Sequence, residues 1–241
     1  MMDAPDLDPM AHRSALAGLR RLNRISRVSA VMFPQLARLA RQTPKRPLKI
    51  LDVASGSGDL PIDWIIRAQR NGLKFQITAL DRSQTALDTA IESANAAQVE
   101  LGTVQRDCLT DGLPSGFDVV TCSLFMHHLD DDDVIKLVHE MWRVCHRSIL
   151  ICDLDRSPIN LGLVAAASRL VSRSEIVHFD AVASVRGAYT RGEFAALLHR
   201  SLGFEVTVRR SFPCRFLAVI DQACEVEYAT DLKVVLAGAV S

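Results

Sequence analysis

The stretch Leu51-Asp52-Val53-Ala54-Ser55-Gly56-Ser57-Gly58-Asp59-Leu60-Pro61 follows a short apolar run, Leu48–Leu51, and precedes a helical pattern over Pro61–Ala68. Strand, glycine turn and helix in that order form the ligand-facing corner of an α/β protein. The glycines let backbone approach a nucleotide-like ligand closely, and the first N–H groups of the helix point outward at it.

Outward from this corner the chain alternates. Strands are expected at 48–53, 74–80, 99–105, 117–122 and 147–153, and helices at 59–71, 83–97 and 131–146. Joined by right-handed crossovers, these build a mostly parallel sheet covered on both faces. Beyond Asp153 the pattern changes: residues 158–185 read as helical and apolar on one side, with Leu161, Val164, Leu170, Val171 and Ile176. A further helix over 191–201 opens on Thr190-Arg191-Gly192-Glu193, the spacing of a capping box. Strands at about 204–211 and 214–221 flank Phe212-Pro213, which predicts an antiparallel hairpin. The tail from Gln222 shows no clear role.

Upstream of the corner, Met10–Asn23 and Val28–Gln42 carry helical spacing, and Thr43-Pro44-Lys45-Arg46-Pro47 reads as a linker because prolines cannot continue a helix. Arg13, Arg20, Arg21, Arg24, Arg27, Arg38 and Arg41 make this part basic. Such a run is a solvated helix face or, alternatively, a lid whose arginines help to hold an anionic ligand group. Asp130–Asp133 reads as a helix start, with negative charge at the positive end of the dipole, and not as a metal site.

With 241 residues, 49% of them hydrophobic and 23% charged, the chain is long enough for one well-filled α/β domain with an appended or inserted cap. Lys plus Arg and Asp plus Glu balance at 28 each, so no charge excess calls for nucleic acid or a membrane surface. No apolar run reaches the length of a membrane span, and stable membrane insertion is not expected. The cysteines at 108, 122, 145, 152, 214 and 224 form no CxxC pair and several sit in apolar runs, as buried free thiols in a reducing compartment do. Met1–Pro9 is acidic and contains proline, unlike a signal peptide, so a cytoplasmic protein is expected; its oligomeric state is not legible.

Three ligands compete for the glycine turn. A phosphate-cradling loop of the ATPase type needs Gly-Lys-Ser/Thr, and no lysine is present. A nicotinamide dinucleotide turn has a third glycine where this chain has Pro61, and the Asp52 carboxylate would repel a pyrophosphate. A nucleoside carrying a cationic amino-acid portion suits Asp52 instead. Asp81 ends the second strand, placed for ribose hydroxyls, and Asp107 follows the third strand, placed for an adenine amino group. Asp107 is equally typical of a turn.

The segment Leu51–Asp59 resembles motif I of the class I S-adenosylmethionine-dependent methyltransferases, and with Ala54 and Asp59 it is most similar to the ubiquinone/menaquinone-biosynthesis type. Phe117-Asp118-Val119-Val120-Thr121-Cys122-Ser123-Leu124-Phe125-Met126-His127-His128-Leu129 resembles the fourth-strand motif of the same family. The resemblance covers about residues 48–153. It implies a Rossmann-like sheet of seven strands, order 3-2-1-4-5-7-6, mostly parallel with the last strand antiparallel and helices on both faces. It also implies S-adenosyl-L-methionine as cofactor, with Asp52, Ala54, Gly56 and Gly58 along the methionine portion, Asp81 and Arg82 at the ribose, Asp107 and Cys108 beside adenine, and Ser123 and His128 closing the site. Alanine at 54, where glycine is commoner, is tolerable provided its φ is negative.

Methyl transfer asks for alignment, exclusion of water and, for some acceptors, removal of a proton. His127 and His128 are the candidate bases, against the alternative that one packs on adenine or caps a helix. Asp153, Asp155 and His178 follow behind them. Residues 1–47 are expected to form a helical lid on a domain of 48–241, with a helical cap insertion at about 154–189. Leu161 to Val171, Phe179 and Tyr189 would then wall a small hydrophobic or aromatic acceptor methylated on oxygen or carbon; the same residues also suit a plain core. A non-catalytic cofactor-binding protein and, less favoured, an NAD-dependent oxidoreductase are the alternatives.

Overall fold

The computed structural model describes residues 28–171 and 182–222. The expected helix Met10–Asn23, the arginines from 13 to 27, Ile176, His178, Phe179 and the tail from residue 223 lie outside the described residues. In chain order the elements are α1 (Val28–Arg41), β1 (Leu48–Val53), α2 (Asp59–Arg70), β2 (Phe75–Asp81), α3 (Gln84–Ala96), β3 (Gly102–Gln105), β4 (Phe117–Ser123), a 3-10 turn (Met126–His128), α4 (Asp131–Val144), β5 (Cys145–Leu154), α5 (Pro158–Val171), α6 (Arg191–Leu202), β6 (Val208–Ser211) and β7 (Arg215–Asp221). A short helical segment, 182–187, precedes α6.

The strands form one seven-stranded sheet in the order β3-β2-β1-β4-β5-β7-β6, the expected arrangement. β1 to β5 run parallel to one another, and β7 runs antiparallel between β5 and β6. β1 is central and covered on both faces, which is why Leu48, Ile50, Leu51 and Val53 are all buried and the strand reads as an almost unbroken apolar run. β3 and β6 are shorter than the expected 99–105 and 204–211 because each is an edge strand with a ladder on one side only. Gln98, at φ 54°, also turns the chain before β3.

Helix boundaries follow local chemistry. Ser83 caps α3 by accepting from Ala86 N–H, Asp130 caps α4 by accepting from Asp133 N–H, and Thr190 with Glu193 makes a complete capping box on α6. α4 buries Val134, Leu137, Val138, Met141 and Val144, spaced by three and four, against one face of the sheet, where Phe194 of α6 and Phe216 of β7 complete the core. The opposite face carries α1 and α2. Val28, Met32 and Leu36 of α1 are fully buried with Trp64 of α2, Ile50 and Leu150, so α1 belongs to the covering layer of the sheet. The Trp64 indole donates to the Ser29 carbonyl at 3.3 Å, pinning α1 to α2. Cys108, Cys122, Cys145 and Cys152 are buried free thiols, and Cys214 is half-buried. No helix among the described residues is long and apolar enough to cross a membrane.

Trp64→Ala removes a fully buried indole at the junction of α1, α2 and the sheet. A destabilisation of roughly 3–5 kcal/mol is expected in urea unfolding. A loss below about 1 kcal/mol, the range of surface substitutions, would contradict this packing.

Candidate active site

Parallel pairing brings the C-terminal tips of β1, β2, β4 and β5 to one edge. Asp52 lies beside Ala79 on one side and Thr121 on the other, and Ser123 lies beside Cys152. The glycine turn rises from this edge between β1 and α2. Ser55 N–H donates to the Leu80 carbonyl at 3.0 Å, and Gly56 N–H donates to Asp81 Oδ2 at 2.8 Å. The other Asp81 oxygen accepts from Ser83 N–H at 2.9 Å. Each oxygen keeps a further lone pair, so the carboxylate that shapes the turn can still accept from two hydroxyls.

The two glycines of the turn differ. A Cβ added at Gly56 would meet nothing within 4 Å, so the backbone is open there to a ligand. At Gly58 an added Cβ would stand 2.8 Å from the Ala90 methyl of α3, so this residue serves close packing between the turn and α3. Both have positive φ, 56° and 72°. Ala54 corrects the expectation from the sequence: its φ is +54°, not negative. A left-handed alanine costs roughly 1–2 kcal/mol, which the hydrogen-bonded turn around it has to carry.

Asp52 is 1% exposed, and its partner is the Thr121 hydroxyl, which donates to Oδ1 at 2.6 Å. Burial pushes the Asp52 carboxyl up to about 7, opposed by the Thr121 hydrogen bond and assisted by the negative charge of Asp81. Asp107 accepts from Leu109 N–H on Oδ1 at 2.9 Å and so orders the loop after β3. Arg82 is exposed beside this loop. Cys108 is buried there, its thiol pushed up to about 12 mainly by burial, so it presents a neutral wall.

On the far side of the edge, His127 Nδ1 and Asp153 Oδ1 are 2.7 Å apart, with both side chains almost wholly buried. Asp153 also accepts from Leu154 N–H at 2.6 Å and from His127 N–H at 3.3 Å. Burial alone would raise the Asp153 carboxyl, but His127 and these N–H groups hold it below the usual carboxylate range. An anionic Asp153 fixes the imidazole proton on Nδ1 and leaves Nε2 as the acceptor. The exposed His128 ring lies 4.1 Å from that of His127. Asp155 sits further out, 3.5 Å from Arg191.

Two participants are missed by sequence reasoning. Thr121 is a buried hydroxyl set between Val120 and Cys122 in β4, and that irregularity is its only sequence signal. Ser55 Oγ is buried in the turn without a hydrogen-bond partner, a cost normally offset when a ligand supplies one. Together with the open Gly56 face and the free lone pairs of Asp81, it suits a hydroxyl-bearing nucleoside such as S-adenosylmethionine.

Residues 50–148 match the model of a family described as a methyltransferase domain. A demethylmenaquinone methyltransferase of Deinococcus radiodurans is 32% identical over 146 residues, 60% of this chain and 58% of that protein. A ubiquinone biosynthesis O-methyltransferase of Neisseria meningitidis serogroup C is 32% identical over 93 residues, 37% of each. The chain thus aligns with less than two thirds of the length of these curated relatives. Among solved structures, the plantazolicin methyltransferase BpumL in complex with SAH matches with a TM-score of 0.65 at 15% identity over 91% of both chains. The magnesium protoporphyrin IX methyltransferase of Synechocystis PCC 6803 with bound SAH matches at 0.55 and 12% identity, over 91% of this chain and 90% of that one. At these identities the likeness to both structures is one of fold.

The Asp52 carboxyl yields a pH prediction. Its folded value, about 7, lies above its ordinary value of 3.8, so the native state keeps a proton that the unfolded chain releases. The resulting stability is fully present below the ordinary value and is lost as pH rises through about 7. Asp52→Asn is expected to flatten the decline of urea stability with pH across that window. Equal slopes in the two proteins would contradict a proton-holding Asp52.

Proposed function

Because the chain belongs to the class I S-adenosylmethionine-dependent methyltransferases, we propose that it methylates oxygen or an activated carbon of a small hydrophobic or aromatic acceptor, of phenol, quinol or polyketide-like chemistry, in the cytoplasm. The observation that carries this reading is the His127–Asp153 pair, an imidazole held in one tautomer by a buried carboxylate at the edge that also carries the glycine turn. A hydroxyl and an activated carbon both have a proton to lose when the methyl arrives, whereas an oriented base gives little to an acceptor that loses none.

The bound cofactor supplies an electrophilic methyl group on a sulfonium. The chain's own residues do the rest. Asp81 accepts from the ribose hydroxyls while its second hydrogen bonds keep the turn in place. The open backbone at Gly56, with Ala54 and Ser55 beside it, lines the amino-acid portion, and the buried Asp52 faces that cationic end. Gly58 holds the turn on α3. Asp107, Cys108 and Arg82 border the adenine, and Ser123 and His128 close the site at β4. His127 Nε2 takes the acceptor proton, and the imidazolium so formed is stabilised by Asp153.

The acceptor wall is assigned to the cap at about 154–189. Support comes from α5, which leaves the end of β5 and presents Ile159 and Leu163 at 66% and 54% exposure. Paired at i and i+4, they offer apolar surface beside the cleft to a hydrophobic molecule. The same chemistry is borne by the relatives' names, a demethylmenaquinone methyltransferase and a ubiquinone biosynthesis O-methyltransferase.

Two variants test the assignment. Asp81→Ala is expected to weaken S-adenosylhomocysteine binding by roughly tenfold or more in calorimetry, the worth of hydrogen bonds to a charged group; unchanged affinity sinks the ribose site. His127→Ala is expected to lower kcat on a phenolic acceptor by about 10²–10⁴-fold. Its S-adenosylhomocysteine affinity is expected to stay as in the wild type, and intact turnover removes the base.

A further inference from the structure

The turn that carries His127 is short and has little rigidity of its own. It is a single 3-10 turn, Met126–His128, held internally by His128 N–H to the Phe125 carbonyl at 2.9 Å and Leu129 N–H to the Met126 carbonyl at 3.1 Å. What fixes it from outside comes from much later in the chain. At Gly187 an added Cβ would stand 2.8 Å from the His127 carbonyl oxygen, so only glycine allows the two backbones to lie this close. Two residues on, the Tyr189 hydroxyl donates to the Leu129 carbonyl at 2.8 Å. Burial, and then the neighbouring Asp131, push that phenol up to about 12, so it keeps its proton and stays a donor.

These contacts bracket the histidine. One rests on its own carbonyl and the other holds the residue two positions later, while Asp153 takes the ring and the His127 N–H from below. The clamp is itself anchored. Val185 and Ala188 are buried, the Tyr189 ring stands 6.1 Å from Phe194, and the Tyr189 carbonyl accepts from Arg156 N–H at 3.0 Å. Arg156 lies between the end of β5 and the start of α5, so one set of contacts joins that connection and residues 185–189 to the histidine turn.

We propose that Gly187 and Tyr189 are positioning residues for His127: they press the 126–129 turn onto Asp153 and so align the imidazole. The proposal rests on His127 acting as the base, and its test separates the two ideas.

The test uses the full chain as Gly187→Ala and Tyr189→Phe. Histidine-labelled protein is followed by NMR through the low-field Nδ1 proton of His127, assigned by its absence in His127→Ala. Each variant is expected to shift or lose this resonance and to lower kcat about tenfold, the effect of sub-ångström misplacement. The acceptor KM and the S-adenosylhomocysteine affinity are expected to remain near wild type. Should the added methyl at 187 prevent folding, Tyr189→Phe, which loses one hydroxyl and keeps its ring, carries the test alone. A resonance unmoved in Tyr189→Phe overturns the positioning role, as does a kcat loss matched by an equal loss of cofactor affinity. A resonance that moves, with full turnover in His127→Ala, supports the positioning role and overturns the base.

Discussion

The hydrogen bond from Gly56 N–H to the Asp81 carboxylate holds the rest of the site in register. It ties the turn at the tip of β1 to the tip of β2, and the same carboxylate reaches Ser83, the cap of α3. Turn, strand and helix therefore share one anion. Positive φ at Ala54, Gly56 and Gly58 becomes affordable because this bond, with Ser55 N–H to the Leu80 carbonyl, over-determines the turn. With the turn fixed, Gly56 stays open on one side while Gly58 packs on Ala90 on the other.

The second half of the site depends on a different neighbourhood, the pairing of β4 with β5. Ser123 opposite Cys152 places the residues just beyond each strand together, and this is how His127 comes to meet Asp153. Two buried carboxylates at one sheet edge are driven in opposite directions. Asp52, with a neutral hydroxyl as its donor and another anion nearby, is pushed up; Asp153, with an imidazole and two N–H groups, is held down. The first is a carboxyl that a neighbouring cation would draw into its charged form, and the second is already a fixed anion.

Much of this was legible before any coordinates. Alternating runs gave the element order because a buried parallel strand is apolar throughout, while α2 announces itself by spacing of three and four, and α3 and α4 by caps as well. Acids at 52, 81 and 107 marked the strand tips, since a carboxylate at the end of an apolar run has a reason to be there. What escaped was decided by backbone and by distance in sequence. The φ of Ala54 follows from the hydrogen bonds of the turn, not from the identity of residue 54. Thr121 matters through its register with Asp52, and Tyr189 through a carbonyl 60 residues upstream. Asp153 was named from the sequence behind the histidines; its geometry identifies it as the partner of His127.

The most direct test is a crystal structure of the chain with S-adenosylhomocysteine. The ribose hydroxyls are expected about 3 Å from the Asp81 carboxylate, the amino-acid portion over Gly56 with a partner for Ser55 Oγ, and the sulfur directed toward the His127 side of the cleft. Ligand density away from the Gly56 face, or a ribose held by other groups with Asp81 uninvolved, would contradict this placement.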